Sequence, residues 1–199
     1  ITVIYKAQQI IKPTLHIFVA GINQYRNSNY NLNYARPDAQ AIAKFFKSLN
    51  STLFSKINVK ELYDKQATKA NVEAMLSSTQ TREEDIVIIY LAGHGVIENS
   101  TYYFVTWDCT SMVTEEKLKS NAISDAFFTE KIPLIKAQKK LLIFDTCNAG
   151  GAIERIAFRS ASTEERAKVL LARNTGIHIL AATTKVQQAV EFQELGHGV

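Results

Sequence analysis

The 199-residue sequence is poor in cysteine (two), proline (three), glycine (eight), methionine (two) and tryptophan (one). Two cysteines, Cys109 and Cys147, cannot build a disulfide framework, and with four scattered histidines they form no C-x-x-C or H-x-x-x-H pattern. A metal site is therefore not expected, and a reducing, cytoplasmic setting is. With 46% hydrophobic and 21% charged residues, the scarcity of Gly and Pro excludes a collagen-like, low-complexity or disordered chain. Long apolar runs are also missing: the longest, Ile86 to Ala92, falls far short of the roughly 18 residues a spanning helix needs. No basic leader with an apolar centre opens the chain, so no membrane association is expected. Neither charge dominates, since 23 Lys and Arg face 19 Asp and Glu, and no basic run or aromatic-basic stripe marks a nucleic-acid partner.

What is present fits one domain large enough to bury a full core. Strand-like runs alternate with amphipathic stretches, which predicts an α/β fold with a mostly parallel sheet. The strand candidates are Leu15 to Ala20, Ile57 to Tyr63, Ile86 to Leu91, Leu141 to Phe144 and Ile177 to Ala182, with a short hairpin arm at Tyr102 to Thr106. A first helix is predicted from Pro37 to about Ser48, with Ile42, Phe45, Phe46 and Leu49 facing the sheet. A second follows the N-cap Thr68 and buries Val72, Met75 and Leu76. A third is placed at Asn121 to Lys131, and a fourth after Ser162-Thr163-Glu164-Glu165, a capping box, through Arg173. The chain opens on Ile1 rather than Met, which implies a piece of something longer with residues 1–13 as a lead-in and 14–199 as the domain.

In open α/β sheets, functional groups gather just past the carboxyl ends of the strands. Two such exits stand out. One is Ala92-Gly93-His94-Gly95, an imidazole between glycines; the other is Asp145-Thr146-Cys147-Asn148-Ala149-Gly150-Gly151, which carries a thiol. A nucleophilic cysteine needs its thiolate, and a neighbouring histidine is the usual proton acceptor, so His94 and Cys147 are the candidate catalytic pair. Cys109 follows Trp107-Asp108 with no partner residue and reads as structural. Tyr25, Tyr30 and Tyr34 read as loop packing, with a substrate groove as the other reading. His16 and His178 read as strand histidines, and His197, although between glycines, follows no apolar strand and is set aside.

The run Tyr90-Leu91-Ala92-Gly93-His94-Gly95, followed 53 positions after the histidine by Cys147 in Asp145-Thr146-Cys147-Asn148-Ala149-Gly150, resembles the His and Cys motifs of the caspase-like cysteine peptidases. Asn33 to Ala39 is similar to the family's motif before its first helix, and Ile179 to Thr183 to the strand that begins its small-subunit region, here from about residue 176. Asp two residues before the cysteine and Gly three after it resemble the metacaspase and bacterial branch. The resemblance implies a three-layer sandwich and an endopeptidase with a His94 and Cys147 dyad. It assigns the oxyanion hole to the N–H groups of Gly95 and Cys147, and a pocket for a substrate Arg or Lys to Asp38 and Asp145, with Thr183 beside it. A bare Asp145 near the thiol would disfavour the thiolate, and a substrate cation would compensate it.

The sequence identifies no third acid to orient the imidazole. The stretch from Gly151 to Ser162 occupies the position of a maturation loop, and Arg155 and Arg159 are candidate self-cleavage sites. Expected partners are protein or peptide substrates and a fused sensor or regulatory domain, with no cofactor and with calcium activation left open. Relatives continue into a closing helix and strand beyond Val199. A cysteine phosphatase would need Arg at 153, where Ile153 stands, and Ala20-Gly21-Ile22-Asn23 lacks a dinucleotide fingerprint. The rival that survives is an inactive caspase-like scaffold or interaction module.

Overall fold

A computed structural model describes residues 11–50, 52–99, 101–146, 177–181, 191–192 and 197–198. Five strands form an all-parallel sheet: β1 (Thr14–Gly21), β2 (Lys56–Tyr63), β3 (Ile86–Gly93), β7 (Lys139–Thr146) and β8 (Ile177–Ala181), in the order β2-β1-β3-β7-β8. The expected α/β architecture is therefore present, with every main strand within two residues of its predicted bounds. Between β3 and β7 the chain makes an antiparallel excursion of β4 (Gly95–Glu98), β5 (Thr101–Val105) and β6 (Ala122–Ser124). Short pairs at β9 (Glu191–Phe192) and β10 (His197–Gly198) complete the described strands.

Alternation along the strands divides the core. Leu15, Ile17, Val19, Tyr90 and Ala92 face helix α1 (Ala35–Ser48). Phe18, Ala20, Val87, Ile89, Leu91, Leu142 and Phe144 face the other layer, which holds α2 (Lys69–Ser77) and the excursion. Buried on both faces, these strands carry the near-continuous apolar runs that parallel sheets require. Helix α2 agrees with expectation: the Thr68 hydroxyl accepts from Asn71 N–H at 3.2 Å, and Val72, Met75 and Leu76 are buried.

Two helix expectations are corrected. Helix α1 starts at Ala35, and Ala35, Ala39 and Ala43 are its buried residues; Ile42 and Phe46 pack half-buried against the same cluster as expected, whereas Phe45 is 56% exposed. Small residues prevail because the helix comes very close to β1. A Cβ on Gly21 would stand 2.8 Å from the Ala35 carbonyl, so β1 also needs a side chain of zero size there. The predicted helix at Asn121 to Lys131 is in fact α3 (Glu115–Asn121), strand β6, then α4 (Asp125–Lys131). Ala122 to Ser124 are drawn into a ladder with β5, a tertiary pairing that overrides local helical preference. The predicted fourth helix lies outside the described residues. Among the described residues no helix is long and apolar enough to cross a membrane.

Candidate active site

The strand order turns at β1 and β3: the chain leaves β1 for β2 on one side and returns to β3 on the other. Such a switch point opens a crevice at the carboxyl edge of the sheet. His94, Asp145 and the turn after β1 all lie at that edge. Ile22 N–H bonds the Ala92 carbonyl at 3.1 Å, drawing the chain that leaves β1 across the end of β3.

His94 is half-buried and held from two sides. Its N–H donates to the hydroxyl of Tyr25 at 2.9 Å, and the Tyr25 ring leans on the imidazole with centroids 5.1 Å apart. Tyr25 is buried, and burial pushes its phenol far above the usual range, so the hydroxyl stays neutral. Gly93 is required here. Its φ is +153°, and a Cβ would lie 2.7 Å from the Tyr25 hydroxyl. Gly95 has no such positive φ; it opens β4, is buried and pairs with Phe104.

The His94 Nε2 atom lies 2.8 Å from the carbonyl oxygen of Tyr30. A carbonyl only accepts, so Nε2 must carry the hydrogen and the lone pair of the neutral ring sits on Nδ1. The third orienting group that the sequence did not identify is thus a backbone carbonyl. An asparagine-built turn presents it. Asn27 Oδ1 accepts from Asn29 N–H, Asn27 Nδ2 donates to the Thr110 carbonyl at 3.1 Å, and Asn31 Oδ1 accepts from Tyr25 N–H at 2.9 Å. The Tyr30 hydroxyl accepts from Met112 N–H. Tyr25 and Tyr30 therefore frame the imidazole instead of lining a groove. The only signal of this in the sequence was the density of Tyr and Asn between Gly21 and Arg36.

Asp145 ends β7 on the α1 side and accepts a 2.5 Å hydrogen bond from the Tyr90 hydroxyl. Burial raises its carboxyl above the usual range, Tyr90 opposes this, and repulsion from Asp38 adds to it. Asp38, in the first turn of α1, is half-buried and close enough to act on both Asp145 and Tyr90. The two expected pocket acids are thus neighbours at one edge of the sheet. On the opposite face, the Thr146 and Tyr102 hydroxyls hydrogen-bond at 2.7 Å.

Register relates the two motifs: Ala92 pairs with Asp145 and Gly93 with Thr146. His94 and Cys147 are the residues that follow Gly93 and Thr146 in the sequence. Cys147, Arg155, Arg159 and Thr183 lie outside the described residues. Cys109 is buried, its thiol bonding the Ser111 carbonyl at 3.2 Å; burial pushes that thiol upward, away from nucleophilic use, as its structural reading requires. His178 is exposed on β8, and His16 stands at the opposite, amino edge of the sheet.

Comparison with known proteins agrees with this geometry. The fold is similar to the crystal structure of protein GSU0716 from Geobacter sulfurreducens, with a TM-score of 0.61 and 14% identity over 90% of this chain and 77% of that one. No curated protein sequence matches. A family model described as the caspase domain, Peptidase C14, matches residues 16–198. With nearly the whole length matched, a five-stranded parallel sheet and the Gly-His-Gly exit at its switch point, the chain belongs to the caspase domain family of C14 peptidases.

Proposed function

We propose that the protein is a cysteine endopeptidase that cleaves after Arg or Lys, with Cys147 as nucleophile and His94 as its proton carrier. The observation that carries this reading is the pairing of Gly93 with Thr146. One peptide step from each partner, at ~3.8 Å, and one strand spacing, at ~4.8 Å, bound the separation of the His94 and Cys147 Cα atoms at roughly 12 Å. Two side chains reaching toward each other would span much of that distance.

The chemistry follows from the imidazole's hydrogen bonds. With Nε2–H given to the Tyr30 carbonyl, Nδ1 takes the thiol proton and the Cys147 sulfur attacks the scissile carbonyl. The C–N bond breaks as the same imidazole returns the proton to the leaving amine. Water, deprotonated by His94, then hydrolyses the thioester and restores the thiol. The N–H groups of Gly95 and Cys147 are the proposed oxyanion donors, a role worth on the order of 3–4 kcal/mol per donor in other enzymes.

The acids at the same edge support a basic specificity. Asp145 is held by one tyrosine hydroxyl and repelled by Asp38, so a guanidinium or ammonium entering beside Thr183 would relieve a carboxylate that its surroundings disfavour. We take the domain as the effector module of a larger regulated protein, with Arg155 and Arg159 as self-cleavage sites. The test is hydrolysis of peptide reporters ending in Arg, Lys or Asp by wild type and Cys147→Ala. Turnover of the Arg and Lys reporters that disappears with the thiol is expected. Preference for Asp would overturn the acidic pocket, activity surviving Cys147→Ala would overturn the mechanism, and no activity on any reporter would favour the inactive scaffold.

A further inference from the structure

The amino edge of the sheet, remote from His94, carries a feature that peptidase chemistry does not use. Helix α2 has nine residues against eight in each of β1 and β2. At ~1.5 Å per helical and ~3.3 Å per strand residue, it covers about 13 Å of strands about 26 Å long. It starts at the carboxyl edge, so α2 does not cover the amino half of β1 and β2 on that face. His16, Asn58 and Lys60 there are not the apolar residues a covered sheet would carry. His16 pairs with Asn58 across the two strands, and the Lys60 ammonium lies over the ring of its own cross-strand partner Phe18, 5.6 Å from the centroid.

The area that α2 does not cover is a groove walled by the segment from Thr79 to Arg82, with Leu134 and Lys136 at its lip. It holds a cavity of about 700 Å³, and a second of about 490 Å³ continues it, sharing His16, Asn58, Thr79 and Gln80. Each falls in the size range of small-molecule sites. The groove's charge is one-sided. Arg82 and Lys136 line the larger cavity and Lys60 the smaller, while burial, with Lys60 and Lys56 near enough to add to it, lowers the His16 imidazole below its usual range and favours the neutral ring.

Among the described lining residues the single carboxylate, Asp85, is already consumed by the fold. Its oxygens accept from Thr14 N–H at 2.8 Å, Arg82 N–H at 2.8 Å and Arg82 Nη2 at 2.9 Å. Arg82 is shared with that carboxylate, but among the described residues Lys60 and Lys136 pair with no carboxylate, and His16 Nε2, 3.6 Å from Asp85 Oδ2, makes no hydrogen bond. Two lysines without a carboxylate partner, beside an Arg82 only partly spent on Asp85, suit a compact anion of more than one charge, which a phosphate group supplies and a lone carboxylate does not.

We propose that this groove, floored by His16, Asn58 and Lys60 and walled by Arg82 and Lys136, binds a small phosphate-bearing anion. The site is separate from the proposed peptidase centre. Asp85 and His94 stand at opposite ends of β3, roughly 30 Å apart for nine residues at ~3.3 Å each, so a ligand in one does not touch the other.

The test uses the full chain with Cys147→Ala, titrated with inorganic pyrophosphate and, separately, ATP, while the His16 ring signals are followed by NMR at constant ionic strength. Saturable shifts at His16 are expected. Affinity should weaken at least tenfold in the double variant Lys60→Ala/Lys136→Ala, whose thermal midpoint should match the parent because both lysines are exposed. Tighter binding of ATP than of pyrophosphate would assign a nucleoside polyphosphate, and equal binding the inorganic group; either result upholds the site. Shifts that chloride reproduces at equal ionic strength would overturn it. So would an affinity unchanged in the double variant, or an acidic peptide that binds more tightly than either phosphate compound.

Discussion

Gly93→Ala is the substitution whose consequences the structure specifies most fully. The added Cβ would sit 2.7 Å from the Tyr25 hydroxyl, while its next neighbours, Phe104 and Ile22, are at ordinary distances of 3.7 and 3.8 Å. One contact alone is therefore in conflict, and the hydroxyl must move away from the His94 N–H it now accepts at 2.9 Å. Holding alanine at a φ of +153° costs about 1–3 kcal/mol, and leaving the buried His94 N–H without its acceptor costs about 1–3 kcal/mol more. Tyr25→Phe removes the same hydroxyl, keeps the ring, and should cost only the second of these amounts. In the double variant the clash is gone and the N–H is orphaned once, so the loss should fall short of the sum of the singles by about 1–3 kcal/mol. Urea unfolding of the four proteins in a Cys147→Ala background measures this cycle. Singles that add to within about 0.5 kcal/mol would refute the argument, because they would show that glycine is needed for its φ alone and not for the approach of the tyrosine.

Two further outcomes follow from the carboxylates. Asp145→Asn should lower kcat/KM for Arg and Lys reporters roughly 10–100-fold, the worth of one charge-assisted hydrogen bond, and leave the fold intact. Because the Asp145 carboxyl is raised by burial and by Asp38, the KM of wild type for basic reporters should climb as pH falls through that raised value, a dependence that the Asn variant should lose; an unchanged profile would remove Asp145 from the pocket. Asp85 behaves in the opposite sense. Burial pushes its carboxyl up, but hydrogen bonds from Arg82 and Thr14 outweigh burial and hold it at about 2. Its contribution to stability is therefore present above the ordinary value of 3.8 and is lost as pH falls toward 2. Thermal unfolding of wild type should weaken over that window and of Asp85→Asn should not, and parallel curves would show that these bonds do not stabilise the fold.

Much of the architecture was legible residue by residue. The run Ile86 to Leu91 is a strand under any reading, Thr68 caps α2 as its hydroxyl predicts, and Gly-His-Gly at a strand exit marks a candidate site. Where local reading failed, a partner distant in the chain had intervened. Ala122 to Ser124 became a strand because β5 offered a ladder, and α1 buries alanines at its closest approach to Gly21 while Phe45 is left exposed.

The amino-acid order by itself determined the α/β alternation, the cap of α2 and the position of His94 at a strand exit, because each of those signals is carried by a few consecutive residues. Folding in three dimensions decided the strand order and the register that sets Gly93 beside Thr146. It also decided the frame of Tyr25 and Tyr30 around His94, whose bonding partners lie 69 and 64 positions apart, and the polar groove that a short α2 leaves open. Those features depend on distances through space between segments that no local pattern relates, so only the packed chain could set them.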